Sequence, residues 1–140
     1  MGLYSFNTWL VANLVHPFLI LIMDLIDPEF FSDMDFLAEP TLLSLIFFFS
    51  FILSLPALLL AYVCLRIIVP APHSYQTRLM IWAITAPCII AFGGMVVMII
   101  FGDFNPGGLI VCIPAMLAAM LSVLIRYQQF KQLIVQHEIN

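Results

Sequence analysis

Basic side chains are scarce: the 140 residues include only four Lys and Arg. Four cations spread along a whole chain cannot form a phosphate-binding stripe, which excludes nucleic acid as a partner. Charge of either sign is also rare, at 9%, against roughly a quarter in an average soluble domain. A water-facing surface must be coated with polar side chains. With 64% hydrophobic residues and a mean hydropathy of +1.16, too few remain to coat one. A soluble monomer is thereby excluded. The three cysteines, Cys64, Cys88 and Cys112, form no CxxC, which removes disulfide exchange and leaves them as small apolar fillers. No Cys or His has another at ligand spacing, so neither a metal nor a cofactor is expected. A glycine-rich phosphate loop, a nucleophile elbow and an HExxH are missing as well, so an enzyme is the less favoured class.

Long apolar runs are abundant instead. A helix crosses a hydrocarbon core of about 30 Å with about 20 residues, at about 1.5 Å each, and satisfies every backbone amide internally. Four stretches qualify, 8–26, 41–65, 79–101 and 109–125, which predicts an all-α integral membrane protein built as a single four-span domain over 1–140. The first lacks the basic flank of a cleaved leader and reads as a retained span. Asn105-Pro106-Gly107-Gly108 supplies the turn of an antiparallel hairpin between the last two. Each run holds one proline, Pro17, Pro56, Pro87 or Pro114, which predicts kinked helices.

Charge sets the orientation. Arg66, Arg78, Arg126 and Lys131 all fall at the same ends of the predicted spans, which places both termini on the cytoplasmic side, or its equivalent, of a bacterial or organellar inner membrane. The acidic segment 27–40 then lies outside, with Asp27, Glu29, Asp33, Asp35 and Glu39 interleaved with phenylalanines in a pattern suited to the headgroup layer. Asp33 and Asp35 lack the glycine-containing loop of a calcium site.

Polar groups inside a span are costly and are therefore candidates for function or for pairing. Asn13, His16 and Asp24 fall near one face of the first span. Three roles suit this stripe: a neutral histidine bonded to a hydroxyl of a neighbouring helix, a proton relay, or a wall of a water-filled path. Haem ligation lacks a second histidine at matching depth. Small residues mark where helices approach one another, since the hydrophobic effect does not drive them together in lipid. They are Ser50, Ser54, Ala57 and Ala61 on the second span, Gly93 and Gly94 on the third, and Ala115, Ala118, Ala119 and Ser122 on the fourth. Phe47, Phe48, Phe49 and Phe51 form a ridge beside the serine face.

The tail 126–140 holds Tyr127, Phe130, Ile134 and His137 at helical spacing. This predicts a cytoplasmic extension of the fourth helix whose apolar stripe docks on a partner. The function expected from these features is a non-enzymatic subunit or scaffold of a larger membrane complex, in contact with lipids and other subunits. The first alternative is a small transporter or channel component using the Asn13, His16 and Asp24 stripe. The second is a membrane enzyme acting on lipid or quinone.

Overall fold

The computed structural model describes residues 1–27, 40–101 and 112–139. Among them are six helices and no strand: α1 Gly2–Ile26, α2 Pro40–Leu53, α3 Leu55–Ile68, α4 Tyr75–Phe101, α5 Ile113–Ile125 and α6 Tyr127–Ile139. Three stretches are long and apolar enough to cross a membrane, namely Gly2–Ile26, Ser50–Ile68 and Tyr75–Ile100. Helix α5 is equally apolar, but its 13 residues rise only about 20 Å. Residues 109–111 and the Asn-Pro-Gly-Gly turn lie outside the described residues, as do Glu29, Asp33, Asp35 and Glu39 of the acidic segment.

The four prolines fall into two pairs. Pro17 and Pro87 lie inside α1 and α4, whereas Pro56 and Pro114 occupy the first turns of α3 and α5, where the absent N–H would have had no intrahelical acceptor. Ser54, with φ −86° and ψ −3°, divides α2 from α3. Its N–H still donates to the Ser50 carbonyl at 3.0 Å and its carbonyl accepts from Leu58 N–H at 3.1 Å, so backbone bonding continues across the division.

The core lies at one end of the bundle. Tyr4 of α1, Leu65 and Ile68 of α3, Val69, Trp82 of α4, Val123 of α5 and Phe130 and Ile134 of α6 form one buried cluster. The start of α1, the α3–α4 connection and the α5–α6 junction therefore meet there. The Ser74 hydroxyl caps α4 by accepting the Thr77 N–H at 3.3 Å, which fixes where that helix starts. The four basic residues belong to the same end. Arg66 stands over the Tyr62 ring at 5.5 Å and Arg126 over the Tyr4 ring at 5.6 Å; Lys131 is exposed on α6.

Arg78 is buried, with 8% of its surface exposed. One Nη donates to the Val69 carbonyl at 2.9 Å, and the other meets Glu138 Oε1 at 3.0 Å, which ties the last turn of α6 to the first of α4. The Glu138 side chain is 57% exposed, so water screens the pair from that side. Glu138→Gln should accordingly cost under about 1 kcal/mol in detergent unfolding. A larger loss would mean that the carboxylate is the main anchor of α6.

Helix α6 does not continue α5. Arg126, with φ −100° and ψ 19°, divides the two, although backbone bonding runs across it, with Arg126 N–H donating to the Ser122 carbonyl at 3.2 Å and Phe130 N–H to the Arg126 carbonyl at 3.1 Å. Phe130 and Ile134 of the apolar stripe expected to meet a partner lie in the chain's own core. Phe130 packs against Tyr4 and Tyr75 with ring centroids 5.7 and 6.4 Å apart. The Tyr75 hydroxyl donates to the Tyr127 carbonyl at 3.3 Å. The hydrophobic cover for Phe130 and Ile134 thus comes from within the chain, while Tyr127 and His137 stay exposed.

Candidate functional site: a cavity with one polar wall

The most extensive helix pairing is between α1 and α5, followed by α4 with α5. Small side chains permit it: Ala118, Ala119 and Ser122 of α5 are buried, as are Ser5 and Thr8 of α1. The hydroxyls on these faces are bonded to backbone, with Thr8 Oγ1 donating to the Tyr4 carbonyl at 2.8 Å and Ser122 Oγ to the Ala119 carbonyl at 2.7 Å. Such bonds let a polar side chain sit in an apolar contact without an orphaned proton.

Above this packed floor α1, α2, α3, α4 and α5 line a partly open cavity of about 370 Å³. The small residues of the second and third spans make the void. Ala57 and Ala61 of α3 and Gly93 of α4 border it half-buried, as does Ala115 of α5. Ala57 and Ala61 also pack against the buried cluster described above. A Cβ placed at Gly93 would meet nothing within 4 Å, whereas one placed at Gly94 would lie 2.5 Å from the Cys112 sulfur. The two neighbouring glycines thus have different roles: Gly93 borders the void and Gly94 lets α4 approach the start of α5.

One wall is polar. Helix α1 presents Trp9, Asn13 and His16, and facing them are Ser50 of α2 and Ser54 at the α2–α3 division. Asn13 Oδ1 accepts from the Ser50 and Ser54 hydroxyls, both at 3.2 Å, while Asn13 Nδ2 donates to the Trp9 carbonyl at 3.0 Å. Trp9 Nε1 donates to Ser54 Oγ at 2.9 Å, and His16 Nδ1 lies 3.2 Å from Ser50 Oγ. On the outer side Phe51 stacks edge-on against Trp9 at 4.9 Å and pairs with Phe47 at 5.2 Å, whereas Phe48 is 61% exposed.

Of the stripe read from sequence, Asn13 and His16 join this wall, and Asp24 does not. Asp24 is buried further along α1, at 8% exposure. Asp27 is exposed just after the helix ends. Trp9 was missed, although a signal existed: positions 9, 13 and 16 follow the i, i+4, i+7 spacing of one helical face. Among the described residues no group of three or more His, Cys, Asp or Glu is placed to hold a metal ion, and none of the residues lining the cavity is charged. The chain matches no protein-family profile, no characterised protein and no solved structure.

Proposed function

We propose that this chain is a four-span integral membrane protein, with both termini on the cytoplasmic side or its equivalent, that holds a small lipophilic molecule within the bilayer as a binding or carrier component. The cavity is the observation that carries the reading. At about 370 Å³ it falls in the lower part of the range, about 300 to 1,000 Å³, of sites that take small molecules, and like them it is mainly apolar with a few convergent polar groups. His16 lies about 20 Å along α1 from its start, so the polar wall sits at middle depth. The gathering of Arg66, Arg78, Arg126 and Lys131 at the packed end supports the orientation.

Fluorescence gives a direct test, because the two tryptophans of the chain, Trp9 and Trp82, both line the cavity. Dibromododecane should quench them saturably in the purified protein, and Gly93→Leu, which fills the void, should abolish the saturable part without lowering the unfolding temperature. Equal quenching in both proteins would mean that the probe reaches the rings only by partitioning into detergent, and the reading would fall.

A second reading, an accessory subunit of a larger membrane complex, is favoured by one row on α6. Tyr127, Val135 and Ile139 remain exposed there at spacings of eight and four, on a helix that also carries four glutamines and whose other apolar stripe is already buried.

A further inference from the structure

We infer that the cavity is a slot for one hydrocarbon chain of a bilayer lipid, which enters sideways between α2 and α4 while the headgroup stays outside. The inference rests on the cavity being a binding site and adds what occupies it. The place of the mouth follows from which parts of the lining are covered. At one end they are buried: Ser5 and Thr8 of α1, Trp82 of α4 and Ser122 of α5. At the other end Leu53 of α2 is 50% exposed, and Val97 and Met98 of α4 are only half-buried. The helix pairing changes in the same direction. Helix α3 packs on both α1 and α4, so that with α5 the four close a ring, but beyond Ser54 the pairing of α2 is with α1, and among the described residues it has no comparable pairing with α4. None of the described side chains of α2, and none of those of α4 after Ile89, is buried. The mouth therefore lies between these two segments.

What the mouth meets is set by the surface around it. Ile52, Phe92 and Ile99, next in sequence to lining residues, are 47, 56 and 64% exposed, and neither α2 nor α4 after Arg78 carries a charge. Such a surface belongs in hydrocarbon, so whatever reaches the mouth comes from the lipid layer itself. Shape then favours a chain. On α4 the lining runs from Trp82 to Met98, about 24 Å at about 1.5 Å per residue. A volume of about 370 Å³ drawn out over that length is a narrow slot along the helices, better suited to one extended chain than to a fused-ring body. The slot has no charged lining residue to receive a phosphate or an ammonium. Only the chain goes in.

Trp82 is the reporter, since it stands at the covered end with 1% of its surface exposed. In Trp9→Phe it is the only tryptophan. Reconstituted in phosphatidylcholine brominated in its acyl chains, the Trp9→Phe full chain should lose most of the emission it shows in unbrominated phosphatidylcholine. Adding Gly93→Leu, which plugs the slot, should restore most of it. Val97→Phe, which narrows the mouth, should protect Trp82 in the same way and serves if Gly93→Leu does not fold. Equal loss of emission with and without these plugs would overturn the entry of a lipid chain, because the bromines would then act from the outer faces of the helices. Dibromododecane separates that result from failure of the cavity reading. Saturable quenching by the alkane that Gly93→Leu abolishes would leave the cavity reading intact, and alkane quenching indifferent to Gly93→Leu would remove it too. Protection by Gly93→Leu but not by Val97→Phe would overturn the placing of the mouth. The difference made by the plugs can also be read with both tryptophans present, so the inference remains testable if Trp9→Phe does not fold.

Discussion

Phe130→Ala should destabilise the folded chain by about 3 to 5 kcal/mol, the cost of emptying a fully buried aromatic site. The ring has no exposed surface, and it touches both Tyr4 and Tyr75, so truncation removes two aromatic contacts worth about 0.5 to 1.5 kcal/mol each besides the apolar burial. Reversible unfolding in mild detergent measures the loss, and trypsin reports its location. Lys131, the residue after Phe130 on α6, should be cleaved far faster once the helix detaches. Val135→Ala, on the exposed side of the same helix, should change stability by less than about 0.5 kcal/mol. If the two variants lose similar amounts, α6 is not anchored through Phe130.

Gly94→Ala should cost up to about 2 kcal/mol, the roughly 1 to 3 kcal/mol of overpacking a close contact less the roughly 0.5 to 1 kcal/mol gained by replacing a helical glycine, because the new methyl would meet the Cys112 sulfur. Removing that sulfur should restore the loss. With Cys112→Ala the nearest remaining atom is the residue's Cβ, 3.8 Å away and in ordinary contact, so the double variant should recover most of the stability. Gly93→Ala provides the contrast: its methyl enters open space, and replacing glycine inside a helix gains roughly 0.5 to 1 kcal/mol. Unfolding of the four proteins under one condition completes the cycle. Additive effects of Gly94→Ala and Cys112→Ala would show that the two residues do not touch.

Much of this architecture could be read from the residue order, and the rest could not, for identifiable physical reasons. Three helices of spanning length coincide with apolar runs because hydrocarbon thickness fixes how long such a run must be. The buried face of α5 at Ala118, Ala119 and Ser122 follows from its spacing, as does the placing of Asn13 and His16 on a common wall. Small residues, however, say only that a face is low. Whether a neighbour fills the space depends on side chains from other helices: Ala57 and Ala61 pack against the buried cluster while bordering the cavity, and a Cβ at Gly93 would meet nothing within 4 Å. The burial of Phe130 and Ile134 was equally hidden, since the stripe would look the same against a partner as against Tyr4 and Tyr75. Arg78 reads as a loop cation. Only the approach of Val69 and Glu138 makes it a buried link.

The helices of this chain pack densely around Tyr4, Val69, Val123 and Phe130 and leave a partly open cavity between α1, α3, α4 and α5. Its free volume is therefore concentrated rather than dispersed, and its compressibility is correspondingly uneven. Pressure favours whichever arrangement contains less void. It would act first on the cavity, and Trp82, which belongs both to the buried cluster and to the cavity wall, would register the change in its fluorescence.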